Sequence, residues 1–143
     1  MFHKILVAVD GSSQSRHAID VGADLAERYQ ASLCLLHAFP HVSDLLGTPH
    51  YENLLAARML IGNQLLEGAR TQIGDRMEVE TQLLEGPPAS AIIRVAETER
   101  YDLIVVGSRG RGQLAGMLLG SVSHAVAQRA HCAVLIVHET ATI

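Results

Sequence analysis

Residues 102–126 read "DLIVVGSRGRGQLAGMLLGSVSHAV", and this stretch decides the fold. An apolar, β-branched run ends at Gly107. Five of the chain's 12 glycines then fall within fourteen residues, at Gly107, Gly110, Gly112, Gly116 and Gly120, before a helical pattern opens at Ser121. A linker would account for the glycines but not for the tight apolar segments on either side of them. Strand, glycine loop and helix in direct succession form one half of a βαβ unit, the building block of a parallel sheet.

Working outward, three more apolar runs have the same character: ILVAV at 5–9, SLCLLHAF at 32–39 and CAVLIV at 132–137. A fifth, MEVETQLL at 77–84, alternates Met77, Val79, Thr81 and Leu83 with more polar neighbours and reads as a strand nearer a sheet edge. Helical patterns lie between them. Residues 15–30 place Ala18, Ile19, Gly22, Leu25, Ala26 and Tyr29 on one stripe, with Arg16, Asp20, Asp24 and Glu27 facing away. Residues 53–73 and 88–100 carry the same face pattern, with Pro87 and Pro88 where a helix start tolerates proline. Residues 121–130 make a fourth helix that Ser121 is placed to cap. Strands that are near-continuously apolar and alternate with helices predict an α/β fold, a parallel sheet covered on both faces. The stretch 40–52 has the least pattern and reads as a loop.

Composition sets the bounds. A length of 143 residues suits one domain, 1–143, able to bury a core without staples or metals. Apolar residues at 48% and charged residues at 18% exclude disorder, and no apolar run reaches the roughly 18 residues of a membrane helix. The opening MFHKILVAVD is too short in apolar residues for a secretory signal, so a cytoplasmic location is expected. Cys34 and Cys132 lie inside apolar runs, outside any metal-ligand spacing, and are expected to be buried free thiols. A net charge of −4, no basic block and 3% aromatic residues argue against nucleic acid as a partner.

In a doubly wound sheet, ligands bind at the carboxyl ends of the strands, where the strand order reverses. A glycine loop feeding a helix offers unpaired backbone N–H groups and a positive dipole end, so the 107–121 loop reads as a phosphate cradle. Gly107 and Gly110 let the backbone bend and approach, and Gly120 brings the end of the loop back to the same anion. Ser121 and Ser123 supply hydroxyl donors beside Val122, and Arg109 and Arg111 supply charge. Asp10, ending the first strand, would repel phosphate but accept hydrogen bonds from an adenine amine or ribose hydroxyls. It can equally cap the helix after DGSS, and the two roles are compatible.

The spacing Gly107-x2-Gly110-x9-Gly120-Ser121, with KILVAVDGSSQS at the start, LCLLHA as second strand and LLEGPPASAIIRVAE before the fourth, resembles the universal stress protein family over the whole chain. The likeness is to its nucleotide-binding branch, with the signature G-x2-G-x9-G-(S/T). The resemblance implies a single-domain, Rossmann-like open five-stranded parallel sheet of order 3-2-1-4-5, which makes the first and fourth strands neighbours. It implies ATP as ligand, with any Mg²⁺ held mostly by the triphosphate, and places the backbone of Ala38 at the adenine edge. It also implies a homodimer through the C-terminal strand, Cys132–Val137, which is apolar on both faces yet lies at the sheet edge.

No catalytic engine is visible. The eight histidines form no i, i+4 pair or local cluster with carboxylates, so no metal site is expected. Ser12, Ser13 and Ser15 lack a nucleophile elbow, and neither a Walker lysine motif nor a first-strand GxGxxG is present. Three functions are consistent with these residues. The first is an ATP-binding stress-response sensor or regulator with little or no hydrolysis, read by a regulatory protein of unknown identity. The second is a slow ATPase or phosphotransferase using His41, Asp44 or His50 from 40–52. The third is a nucleotide-free interaction protein.

Overall fold

The computed structural model describes residues 1–109 and 119–139. Strand and helix alternate as β1 (Lys4–Ala8), α1 (Ser13–Tyr29), β2 (Ser32–Phe39), α2 (His50–Ile73), β3 (Glu80–Glu85), α3 (Pro88–Thr98), β4 (Leu103–Gly107), α4 (Ser121–Arg129) and β5 (Ala133–Val137). The five strands form one parallel sheet in the order β3-β2-β1-β4-β5. Ile5 stands opposite both Leu33 and Leu103, which makes β1 the central strand and the β1–β4 pair the point of reversal.

Side-chain alternation divides the core in two. Ile5, Val7, Leu35 and Val105 pack under α1 and α2 with Ala18, Ile19, Ala23, Leu66 and Ala69. Leu6, Leu36, Ile104 and Val106 pack on the opposite face under α3 and α4 with Ala91, Ile92, Val95 and Val126. Burial on both faces is why these strands read as continuous apolar runs. α1 lies so close to β1 that a Cβ at Gly22 would sit 2.5 Å from Val7 Cγ2.

Several boundaries differ from the sequence expectation. α1 starts at Ser13 because the Ser12 hydroxyl accepts from the Ser15 N–H as N-cap. α2 begins at His50, so the loop expected over 40–52 is shorter, and only Gly62, Leu66, Ala69 and Ile73 of that helix are buried. β3 begins at Glu80, after Met77 and Val79, which still pack against the core. Ser121 does not cap α4; the N-cap is Gly120, in extended conformation and with no side-chain capping bond. No helix among the described residues is long and apolar enough to cross a membrane.

Both cysteines are free. Cys34 is buried as expected, whereas Cys132 is only half-buried because β5 is an edge strand. Burial pushes the Cys34 thiol above its ordinary value of 9.0. Burial, and then hydrogen bonding to Cys34, pushes the Tyr101 phenol above its ordinary value of 10.0. The unfolded chain therefore releases these protons at lower pH than the folded one, so stability is full below about pH 9 and falls as pH rises beyond it. The urea midpoint is expected to decline between about pH 9 and pH 11 and to decline less steeply in Tyr101→Phe. Equal slopes in the two proteins would contradict this account.

Candidate functional site

Where β1 and β4 end side by side, a cavity of ≈ 350 Å³ opens on the α3–α4 face of the sheet. Its size lies at the low end of the roughly 300–1,000 Å³ found for small-molecule sites. Leu36, Ala38, Ile92 and Val106 give it an apolar floor, and Asp10, Ser12, Arg109, Gly120 and Ser123 a polar rim. Parity explains the choice of face. Ala8 and Asp10 continue the alternation of Leu6, and Val106 that of Ile104, so all of them point toward α3.

Asp10 is held by the turn that follows it. Its Oδ1 accepts from the Ser12 N–H at 2.8 Å and from the Ser12 hydroxyl at 2.6 Å, while its own N–H donates to Ser15 Oγ at 3.0 Å. Gly11, at φ +83°, makes the turn possible at little steric cost. Of the two readings of Asp10, the capping one is present in the geometry. One carboxylate oxygen secures the start of α1, and Oδ2 makes no hydrogen bond among the described residues while the residue lines the cavity.

The far side of the cavity is built on one carbonyl. Ser108 O accepts from the Gly120 N–H at 2.6 Å and from the Ser123 hydroxyl at 2.7 Å, and Ser108 N–H donates to Val137 O at 2.8 Å. Ser108 and Gly120, twelve positions apart, are therefore clamped together at the end of β4. The sequence reading made Ser123 a ligand donor; in the structure its hydroxyl lies 2.7 Å from Ser108 O and 3.1 Å from Gly120 O, contacts that fix the start of α4. The first bond within α4 runs from the His124 N–H to Gly120 O. The N–H groups of Ser121, Val122 and Ser123 therefore have no acceptor inside the helix and form its positive end. Val122 lines the cavity there, while the Ser121 side chain is exposed and outside the lining set.

Gly107 has a packing reason beside the one the loop suggested. A Cβ at this position would meet Gln14 Cβ at 2.8 Å, Gln14 C at 3.0 Å and Ser15 N at 3.1 Å. The close approach that requires glycine is that of the first turn of α1 against β4.

Of the ten residues read from sequence, the structure brings Asp10, Ala38, Gly107, Arg109, Gly120, Val122 and Ser123 to one cavity and leaves Ser121 beside it. Gly110 and Arg111 lie outside the described residues. Ser12, Pro40, Pro88, Ile92 and the Ser108 carbonyl were missed. Pro88 and Ile92 were within reach of the sequence, because the right-handed crossover after β3 must lay α3 on the face that Ala8 and Val106 share. Of the stretch 40–52 only Pro40 lines the cavity, and His41 Nδ1 lies 2.8 Å from Glu85 Oε1. Among the described residues no group of three His, Cys, Asp or Glu side chains is placed to hold a metal.

Comparison with known proteins gives a consistent picture. Residues 1–138 match the model of the Universal stress protein family. A universal stress protein of Thermus aquaticus is 39% identical over 137 residues, covering 96% of this chain and 99% of that one. Universal stress protein YxiE of Bacillus subtilis is 40% identical over 147 residues, with 96% and 99% covered. Among solved structures, the protein MJ0577 superposes with a TM-score of 0.88 over 99% of both chains at 24% identity, a likeness of fold. A universal stress protein solved in complex with cAMP superposes with a TM-score of 0.73 at 28% identity, over 97% of this chain and 98% of that one.

Proposed function

The chain belongs to the universal stress protein family, and from that membership we propose that it binds an adenine nucleotide, ATP in the first instance, and acts as a stress-response sensor or regulator with little or no hydrolysis. The observation that carries this reading is the cavity at the β1–β4 reversal, closed on one side by the first N–H groups of α4, which have no acceptor inside the helix, and on the other by the Asp10 carboxylate. An apolar floor takes the base, Asp10 Oδ2 accepts from ribose hydroxyls, and Arg109 with the start of α4 takes the phosphates. The relative solved with cAMP supports an adenine nucleotide as the ligand class. Any Mg²⁺ would be carried mainly by the triphosphate, since the described lining has one carboxylate, that of Asp10. None of the candidate bases in 40–52 lines the cavity, which favours binding over turnover.

The test is to purify the protein without added nucleotide, denature it, and identify what is released, then to titrate stripped protein with ATP, ADP and cAMP while following its thermal midpoint. Released adenine nucleotide and a midpoint that rises with ligand are expected. Phosphate release should be no faster than in Gly120→Val. No released nucleotide together with no shift would favour the nucleotide-free interaction protein.

We also propose a homodimer through β5. The strand is at the sheet edge, and Leu135 in its middle remains 37% exposed. Antiparallel pairing with the same strand of a second copy would cover both. Leu135→Glu is expected to halve the mass seen in sedimentation; an unchanged mass would refute the β5 contact.

A further inference from the structure

Resting on the adenine-nucleotide reading of the cavity, we propose that Glu85 is a positioning residue for the base: from outside the site it holds the wall that Pro40 forms. The lining divides along the sheet. Every polar side chain in it, from Asp10, Ser12, Arg109 and Ser123, follows β1 or β4 or belongs to α4. The other end is apolar, with Leu36 and Ala38 of β2, Pro40 just after it, and Pro88 and Ile92 of α3. Asp10 follows β1, which lies between β2 and β4. A nucleotide is graded in the same way, from charged phosphates through a hydroxylated ribose to a flat base with weakly polar faces. The base therefore belongs at the β2 end, against Pro40 and Pro88.

The sheet ladder does not hold Pro40. β2 ends at Phe39, and proline has no N–H to donate. Two bonds to the end of β3, one on either side of Pro40, fix it instead. Before it, the Gly86 N–H donates to Phe39 O at 2.8 Å; after it, the Val42 N–H donates to Glu85 Oε1 at 2.9 Å. The same carboxylate oxygen lies 2.8 Å from His41 Nδ1. Only the second bond depends on a side chain, and Glu85 is not among the lining residues, so it acts on the cavity through Pro40.

Val42 is 2% exposed. Without the Glu85 oxygen its N–H would be buried and lack that acceptor, a cost the segment 40–42 relieves by moving out to water. Such a movement takes Pro40 away from the cavity. The linkage is reciprocal: a base packed on Pro40 favours the arrangement in which Val42 is bonded, and the bond favours the base.

Calorimetry with ATP and with adenosine, together with hydrogen exchange at the Val42 amide, tests this. Glu85→Ala is expected to weaken both ligands by about tenfold, as the competent arrangement is depopulated, and to speed exchange at Val42. Glu85→Gln keeps an acceptor oxygen and should stay within about twofold of the wild type. Pro40→Gly leaves Glu85 and Val42 in place and should weaken both ligands by about three- to tenfold through lost apolar contact, which tests the wall even where Glu85→Ala folds poorly. In the wild type, adenosine should slow exchange at Val42, whereas inorganic tripolyphosphate, which has no base, should leave it unchanged. A bond that served stability alone would not respond to adenosine. Unchanged adenosine affinity in both Glu85→Ala and Pro40→Gly, a loss confined to ATP, or Val42 exchange indifferent to adenosine would overturn the role of Glu85 while leaving nucleotide binding intact. A wild type that binds neither ligand would overturn the nucleotide reading and this role with it.

Discussion

Gly107→Val is expected to destabilise the protein by about 2–3 kcal/mol, an overpacking penalty at the upper end of the usual range. The reason is what a side chain would strike. Two of the three atoms within 3.1 Å of a Cβ at this position, Gln14 C and Ser15 N, are backbone atoms of α1. That first turn is fastened by the Ser12 cap and by Asp10, and it cannot retreat without breaking the bonds that hold both. Gly62 provides the contrast. A Cβ there comes nearer still, 2.4 Å from Leu83 Cδ1 and 3.1 Å from His37 Cδ2, but both obstacles are side chains, the nearer one the end of a flexible leucine on an edge strand. Gly62→Ala should therefore cost less than half as much, despite the shorter distance. Urea denaturation measures both. A Gly107→Val midpoint within error of the parent, or a Gly62→Ala cost above that of Gly107→Val, would show that helix α1 yields where this geometry says it cannot.

How much of this was legible in the sequence depends on the length scale of the cause. Strand and helix identity and the parallel sheet follow from local patterns. The five runs became the five strands, and Gly107, Arg109 and Gly120 border the crevice between β1 and β4. What sequence could not supply were causes set by distant backbone. Gly107 looked like a residue freed to approach a ligand, yet its neighbour is α1, more than ninety residues earlier in the chain. Ser121 looked like a cap, but extended Gly120 starts α4 and Ser123 turns back on Ser108, a bond no spacing rule announces. The pattern of 53–73 was read as one amphipathic stripe. Its period was right, but its buried residues, Gly62, Leu66, Ala69 and Ile73, all fall in the second half of α2, and Leu54, Met59, Leu60 and Ile61 remain exposed.

Val122→Glu should abolish high-affinity ATP binding while leaving the fold intact, and these opposite effects make it the sharpest test of where the phosphates lie. Val122 is half-buried at the second position of α4 and lines the cavity. A carboxylate there complements the N–H groups of the first helical turn, which have no acceptor inside the helix, so stability should hold or rise by about 0.3–1 kcal/mol. The same carboxylate occupies the field that the proposed function assigns to the phosphates. Two like charges at about 4 Å in an effective dielectric near 20 repel by about 4 kcal/mol, which corresponds to a loss of about 100- to 1,000-fold in affinity. Val122→Gln, of nearly the same size but uncharged, should lose about tenfold at most, which separates charge from bulk. Adenosine, with no phosphate, should bind Val122→Glu and Val122→Gln alike. If calorimetry finds ATP bound by Val122→Glu as tightly as by Val122→Gln, the phosphates do not lie at α4, and the cavity between Asp10 and Gly120 must be reassigned.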